Sequence, residues 1–215
     1  SVVLCEKPSV ARDIARNLGA KNSKNGCLEG DKYIVTWALG HLVTLQTPDK
    51  YKEFSNVSLE NLPMIPKYMK TEIIKKTFKQ YKIIETAVNR KDVNEVIIAT
   101  DAGREGELVA RYILEKANCK KKVKRLWISS VTDKAIKDGF KNLKAGDDYL
   151  GLYYSGVARA NADWLVGINA SRALTLKYNA SLNCGRVQTP TLQMVYEREE
   201  KIKNFVPRDY YTFEA

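Results

Sequence analysis

The chain has 215 residues, 44% of them hydrophobic, and a formal net charge of +11. This length allows one domain, or one domain and part of another, and the apolar content excludes a disordered chain. The four cysteines are scattered and form no C-x-x-C pair, which argues against a zinc site or a disulfide framework and favours a reducing, cytoplasmic location. No apolar run approaches the length of a membrane span.

The first 146 residues alternate between strand-like and helix-like patterns. Residues 1–5 are a short β-branched run, which predicts a buried strand, and apolar side chains then recur at helical spacing over residues 10–18, with Gly19 as a C-cap. The same criteria predict strands within 32–45 and over 94–100 and 123–128, and helices over 71–90, after Asp101 and after an N-cap at Thr132. This alternation predicts an α/β fold with a mainly parallel sheet covered by helices.

A basic run over residues 116–125 carries six positive charges and no negative one. It belongs to an excess of positive charge that lies mostly in residues 1–150, where the net charge is +9. Such an excess suits a polyanion such as nucleic acid, because neutralising phosphates releases counterions. A solvated basic surface has the same composition, so both interpretations stay open at this point.

The pattern becomes helical near residue 146, where we place a domain boundary. Residues 147–178 are predicted to be helical, a polar break follows, and a further helix ends near Asn204. The last residues alternate like the start of a β segment, with Tyr211, Phe213 and Ala215 on one face. Because this alternation stops without a turn residue, we expect the chain to be the N-terminal part of a longer protein.

Acidic residues follow two of the predicted strands. Glu6 comes after the first strand and Asp101 after the strand over 94–100, so neighbouring parallel strands would bring both to one edge of the sheet, where ligands bind. Glu105 lies one helical turn beyond Asp101. Three carboxylates around a small gap suit Mg2+, which stabilises charge on a phosphodiester, and Lys7 and Arg104 are placed to hold phosphate oxygens.

The same acids have a simpler explanation as helix caps. An Asp at an N-cap and a Glu in the first turn satisfy free N–H groups and oppose the helix dipole. Gly103 and Gly106 favour the metal site instead, because they weaken the helix start, which capping does not require but close approach of a ligand does.

Several motifs resemble a known family. Two resemble the Toprim domain, with a glutamate after the first strand and an acidic cluster after a later one: CEKPSVARDIA and ATDAGREGELVARYIL. Four more are similar to type IA DNA topoisomerases, specifically the bacterial topoisomerase III branch: ALGHL, RLWISSVTDKAI, ARANADWLVGINASRAL and GRVQTPTL. The resemblance covers nearly all of the chain. It implies a Rossmann-like Toprim domain over 1–146, then over 147–215 the first part of an all-α domain that binds single-stranded DNA.

The resemblance also implies an activity and its residues. Such an enzyme, expected to be a monomer, cuts one DNA strand through a 5′-phosphotyrosine link, passes another strand and reseals, using Mg2+ and no ATP. The metal ligands implied by position are Glu6, Asp101 and Glu105, and Lys7 matches a basic residue near the scissile phosphate. The positions matching residues near bound single-stranded DNA are Arg159, Asp163, Arg172, Arg186, Gln188 and Thr189.

The chain departs from the family pattern in two ways. Gly103 stands where many relatives have a second Asp, and Glu107 is the candidate to replace that ligand through a water molecule. None of the 12 tyrosines is followed closely by Arg-Thr, the context of the nucleophile, so we do not expect the chain alone to cleave or relax DNA. The rival functions are a Toprim-type Mg2+-dependent nuclease or primase, against which GRVQTPTL argues, and a DNA-binding module without catalysis.

Overall fold

The computed structural model describes residues 1–54 and 58–214 of the chain. Within these ranges the strands are β1 (Val2–Cys5), β2 (Asn22–Lys24), β3 (Cys27–Glu29), β4 (Ile34–Trp37), β5 (Val43–Leu45), β6 (Thr71–Ile73), β7 (Glu95–Ala99), β8 (Lys122–Arg125) and β9 (Lys144–Ala145). The α-helices are α1 (Pro8–Leu18), α2 (Phe78–Val88), α3 (Arg104–Lys116), α4 (Asp133–Lys141), α5 (Leu150–Tyr178) and α6 (Gln188–Lys203).

The main sheet has, among the described residues, seven strands in the order β2-β3-β4-β1-β7-β8-β9. The four central strands, β4, β1, β7 and β8, are parallel to one another. On the outer sides, β3 pairs with β4, β2 with β3 and β9 with β8, each in antiparallel orientation. The residues of β1 are all fully buried, as expected for a parallel strand covered on both faces. The predicted α/β fold with a mainly parallel sheet is therefore confirmed.

Alternate residues of the central strands divide the core between two layers of helices. The cluster on one face combines Val2, Leu4, Val96 and Ile98 with apolar residues of α2 and α3. The cluster on the other face combines Val3, Cys5, Ile97 and Ala99 with residues of α1 and α4. β1 and β7 are also paired in parallel with Cys5 opposite Ala99, so both strands end at the same level of the sheet. The residues that follow them therefore lie side by side between the two helix layers.

The two helix ends predicted from single residues form as expected. Gly19 ends α1 in the left-handed region, with φ of 71°, and its backbone N–H donates to carbonyls of the last turn. Thr132 caps α4, where its Oγ1 accepts a hydrogen bond from the Ala135 N–H at 3.3 Å.

The structure shortens the second predicted helix and the strand over 123–128. Residues 71–73 form β6, which pairs with β5 in a separate two-stranded sheet, and α2 begins only at Phe78. The interpretation of 71–73 as helix was wrong, because pairing with a strand distant in sequence overrides local helical periodicity, whereas Lys75–Thr77 do form a short 3-10 helix that leads into α2. The predicted strand over 123–128 runs instead from Lys122 to Arg125.

The chain divides into two compact units, and the division falls within α5. The first unit comprises Ser1–Tyr51 and Pro66–Asn161, and it contains the main sheet. The second comprises Lys52–Ile65 and the chain from Ala162 onwards. Within it, the Asn169 side-chain amide accepts from the Met64 N–H at 2.5 Å and donates to the Met64 carbonyl at 3.0 Å, which ties the 52–65 segment to α5.

Residues 205–214 adopt neither helix nor strand. The start of a β segment predicted from Tyr211 and Phe213 therefore does not form among the described residues, and Ala215, the third residue of that pattern, lies outside them. The physical reason is that alternation alone does not hold a strand, which needs a hydrogen-bonded neighbour. In the part of the chain that the structure describes, no helix combines the length and the apolar character needed to cross a membrane.

Candidate functional site

Glu6 and Asp101 meet at the carboxyl ends of β1 and β7. The two strands are neighbours with Cys5 opposite Ala99, so the residues that follow them leave the sheet side by side. The Asp101 backbone N–H donates to Glu6 Oε2 at 3.1 Å, and Lys7 Nζ lies 3.3 Å from Asp101 Oδ2. The Asp101 side chain is 58% exposed, so its carboxylate is open to a ligand. Glu6, Asp101 and Glu105 are hereafter called the acidic edge.

Glu105 lies in the first turn of α3 and contacts arginines. Its Oε1 is 2.6 Å from Arg159 Nη1 and 3.9 Å from Arg104 Nε. Gly156 lets α5 approach this turn, since a Cβ there would lie 3.2 Å from the Arg104 carbonyl oxygen. One helical turn after Gly156, Arg159 therefore reaches Glu105. An acid predicted to bind metal and an arginine predicted to bind DNA thus form an ion pair.

The acidic edge is suited to Mg2+ by the chemistry of its donors. Within residues 1–54 and 58–214, no group of three or more His, Cys, Asp or Glu side chains is arranged to hold a metal. Mg2+ commonly uses one or two carboxylates, with water and substrate phosphate as the remaining ligands. Glu6 and Asp101, which follow neighbouring strands and are joined by the hydrogen bond from the Asp101 backbone, supply two carboxylates of the kind that this requirement calls for.

Glu107, two residues beyond Glu105, is completely buried. Its Oε2 lies 2.8 Å from Arg111 Nε and its Oε1 lies 2.5 Å from Arg125 Nε. These three side chains are hereafter called the buried ion network. Because both carboxylate oxygens face arginines in the interior, Glu107 does not reach a metal at the acidic edge. The hypothesis that it replaces a ligand through water was wrong.

Arg125 is a residue whose role the sequence interpretation missed. It was counted in the basic run over 116–125, but its side chain is fully buried. Burial lowers the pKa of the Arg125 guanidinium, and the adjacent Glu107 carboxylate opposes that shift. The available signal was its position at the end of an apolar strand, together with Glu107 and Arg111 four residues apart on the apolar face of α3.

The two glycines of the loop after β7 differ in what they do. A Cβ on Gly106 would lie 2.1 Å from the Asp101 carbonyl oxygen, so this glycine lets the first turn of α3 pack against the loop. The close approach inferred from Gly106 is therefore an approach of the chain's own backbone. Gly103, the N-cap of α3, has extended backbone, and a Cβ there would meet no atom of the described residues within 4 Å.

The other predicted DNA-binding residues lie in the second unit. Arg186 Nε is 2.7 Å from Asp163 Oδ1, so the structure brings these two together. Gln188 and Thr189 begin α6, and Thr189 Oγ1 accepts from the Gly185 N–H at 3.0 Å. Arg172 is exposed on α5.

Two hydroxyls of α5 hold the segment that carries Arg186. Ser171 Oγ accepts from the Cys184 N–H at 2.9 Å and donates to the Cys184 carbonyl at 3.1 Å. Thr175 Oγ1, one turn later, makes the same two-way contact with Leu182. Both backbone groups of alternate residues are thereby satisfied without a strand partner, and the chain is led back along α5 towards Asp163.

Comparison with known families assigns both parts of the chain. Residues 1–131 match the family model described as Toprim domain, and residues 147–215 match the family model described as DNA topoisomerase. The first match covers more than half of the chain.

Similar proteins include two named DNA topoisomerase 3. The chain is 64% identical to the one from Bacillus licheniformis and 62% identical to the one from Bacillus subtilis, over its full length and 30% of theirs. Among solved structures, full-length topoisomerase I from Thermotoga maritima matches 97% of the chain and 32% of its own length, with a TM-score of 0.69 and 28% identity. These matches confirm the resemblance inferred from the motifs, and the chain spans about a third of the length of these relatives.

Proposed function

The chain belongs to the Toprim family, and on that premise we propose that it works within a type IA DNA topoisomerase of the topoisomerase III branch. In that enzyme it supplies the acidic metal site and part of the groove for single-stranded DNA. The reaction cuts one strand, passes another through the gap and reseals the first. The observation that carries the proposal is the contact between Glu6 and Asp101, at the edge of the sheet where parallel α/β folds bind ligands.

The proposed chemistry is a reversible exchange of ester bonds. A tyrosine oxygen attacks phosphorus and forms the 5′-phosphotyrosine bond, while the bond to the 3′ oxygen breaks and that oxygen leaves as a hydroxyl; resealing reverses both changes. A bound Mg2+ supplies positive charge at the reacting phosphodiester. None of the 12 tyrosines stands in the Tyr-x-Arg-Thr context, so we propose that the nucleophile comes from outside these 215 residues and that the chain alone is inactive.

The residues of the acidic edge and its neighbours divide the remaining work. Glu6 and Asp101 hold the metal, and Glu105 joins them as the third carboxylate when it exchanges its exposed ion pair with Arg159 for the metal. Lys7 and Arg104 hold phosphate oxygens beside them as charge-assisted donors. Lys7 already lies 3.3 Å from Asp101, which keeps its ammonium group beside the proposed metal position.

The proposed groove for single-stranded DNA uses the six polar residues predicted from the sequence. Arg159, Arg172 and Arg186 follow the phosphate backbone, and Asp163, Gln188 and Thr189 orient the arginines or contact the strand. We propose that residues 1–146 are the Toprim domain, that 147–215 begin the DNA-binding domain, and that the protein is a monomer. A cytoplasmic location agrees with the four cysteines, which are all free thiols.

A binding module without catalysis is the second candidate. Two observations favour it: Gly103 replaces an acid of the family pattern, and Glu105 is paired with Arg159 rather than placed against Asp101. It predicts that the chain binds single-stranded DNA equally well with and without Mg2+.

Calorimetric titration with MgCl2 tests the metal site. Asp101→Ala should weaken Mg2+ binding, because it removes one of the two carboxylates proposed to hold the metal. Asp133→Ala is the matched control, since Asp133 also comes at a helix start and its side chain is 60% exposed. Equal Mg2+ uptake by the Asp101 variant and the wild-type chain would reject the ligand assignment and leave the binding module as the better description.

Salt dependence of DNA binding tests the groove. The chain should bind a single-stranded oligonucleotide weakly, with an affinity that falls steeply as salt rises. Arg172→Ala should make the plot of log affinity against log salt less steep by about 1, because it removes one phosphate contact. Arg198 is an exposed arginine of α6 outside the predicted set, so Arg198→Ala should leave the slope unchanged. Fluorescence anisotropy measures both slopes. An affinity that does not respond to salt would contradict the proposed groove.

A further inference from the structure

We propose that Arg125 is a positioning residue for the metal-ligand loop, Thr100–Gly103, and that its guanidinium fixes the backbone that carries Asp101. This inference rests on the proposed function, because it concerns the Mg2+ site at the acidic edge. It assigns a functional role to a residue of the buried ion network.

The Arg125 guanidinium binds the backbone on both sides of the loop. Its Nη1 donates to the carbonyls of Ile98, Thr100 and Leu126, at 3.2, 2.8 and 2.8 Å, and its Nη2 donates to the Asp101 carbonyl at 2.7 Å. The carbonyls of Thr100 and Asp101 follow the last residue of β7 and so lie outside its strand. One rigid fork therefore joins the end of β7 to the loop, which a point-like ammonium group cannot reproduce.

The fork itself is held from two directions. Glu107 Oε1 lies 2.5 Å from Arg125 Nε, as a close ion pair. The Trp127 ring covers the guanidinium, with its centroid 4.9 Å away. Arg125 is thus held between a carboxylate and an indole ring, and the loop carbonyls accept hydrogen bonds from its guanidinium in that orientation.

Charge attraction does not explain a role in metal binding. The buried ion network contains two arginines and one glutamate, so it leaves a net positive charge behind the site. That charge repels a divalent cation. Any loss of Mg2+ binding on replacement of Arg125 must therefore come from the lost hydrogen bonds to the loop.

Arg111 offers a matched control within the same network. It pairs with the same carboxylate, is also buried, and donates to a backbone carbonyl, but that carbonyl belongs to Gly146 and lies 2.6 Å away. Replacing either arginine leaves one buried arginine paired with Glu107. The two replacements differ in which backbone segment they release.

The experiment compares Arg125→Lys with Arg111→Lys in the 215-residue chain. Thermal unfolding, followed by circular dichroism, should show lower melting temperatures for both variants. Calorimetric titration with MgCl2 should show an affinity at least about tenfold weaker for Arg125→Lys, the loss typical when the support of a metal ligand is removed. Arg111→Lys should bind Mg2+ like the wild-type chain.

The outcomes separate the inference from the proposed function. Wild-type affinity in Arg125→Lys, or equal losses in both variants, would overturn the positioning role and leave the metal site intact. Mg2+ affinity that rises in Arg125→Lys, which keeps the positive charge, would show that the hydrogen bonds to the loop hinder metal binding, and would also overturn the positioning role. A wild-type chain that does not bind Mg2+ would overturn the proposed function and the inference together.

Hydrogen exchange in the wild-type chain gives a second test that does not depend on a variant folding. The amides of residues 100–103 should exchange much more slowly than those of residues 128–131, which lie between β8 and α4 as the metal-ligand loop lies between β7 and α3. Equal exchange in both loops would show that Arg125 does not hold the first one in place.

Discussion

The acidic edge and the buried ion network each contribute one glutamate to the first turn of α3, and these two glutamates lie in opposite environments. Glu105 is 49% exposed, whereas Glu107 is fully buried between two arginines. An exposed ion pair contributes little to stability, so its partners can exchange for a metal or a phosphate. A buried ion pair cannot lose one partner without a large penalty. The comparison shows that burial, rather than residue type, decides which carboxylate is available as a ligand.

Replacement of Glu107 should have the largest effect on the stability of the fold. Glu107→Ala leaves Arg111 and Arg125 buried without an anion, which should lower the free energy of unfolding by about 3–5 kcal/mol. Urea unfolding at neutral pH measures the loss. Glu105→Ala is the control, because it removes an exposed acid two residues away and should change stability by less than about 1 kcal/mol. Similar losses in both variants would contradict the distinction between the acidic edge and the buried ion network.

Gly106 tests whether the two regions depend on the same loop. Gly106→Ala places a Cβ 2.1 Å from the Asp101 carbonyl oxygen, the atom that Arg125 also binds at 2.7 Å. The backbone must shift, which should destabilise the chain by about 1–3 kcal/mol and weaken Mg2+ binding as well.

Gly151→Ala is the control for Gly106→Ala, and urea unfolding with MgCl2 titration measures both. Gly151 is also helical, but an added Cβ would meet nothing within 4 Å among the described residues, so alanine there should be neutral or stabilise by up to about 1 kcal/mol. A stable Gly106→Ala variant with wild-type Mg2+ affinity would show that the loop adapts without loss.

The meeting of Glu6 and Asp101 was easier to predict from the sequence than the buried residues behind it. The pairing of Glu6 with Asp101 follows from two apolar runs that read as parallel strands, since neighbouring strands end at one edge. The role of Glu107 could not be read in the same way, because an acid in the first turn of a helix looks the same whether it faces water or an arginine from a distant strand. Arg125 was hidden by its place in a basic run.

The same limit explains the errors in secondary structure. Residues 71–73 have helical periodicity with the residues that follow, but they pair with β5, 26 to 30 residues earlier in the chain. The local sequence pattern therefore correctly predicted features that depend on neighbours in sequence, such as the helix caps at Gly19 and Thr132. It failed where contacts distant in sequence decide the conformation.

Gly103 offers the smallest and most specific change. Its backbone is extended and the space around an added Cβ is open, so an acid fits without strain. Gly103→Asp should improve the N-cap of α3 and add negative charge at its N-terminus, for a gain of about 0.5–1 kcal/mol. Without metal, repulsion from Asp101 and Glu6 opposes that gain. The variant should therefore be stabilised more in the presence of Mg2+ than in its absence.

Gly103→Asn separates capping from metal binding, because asparagine caps a helix as well as aspartate but has no charge. Unfolding of both variants with and without MgCl2 makes the comparison. The asparagine variant should gain a few tenths of a kcal/mol over the wild-type chain, equally with and without MgCl2. Only the aspartate variant should show a gain that grows with Mg2+ concentration, because a ligand that binds the native state stabilises it more as its concentration and affinity rise. Identical behaviour of the two variants would mean that position 103 is only a helix cap, and that an acid there does not extend the acidic edge.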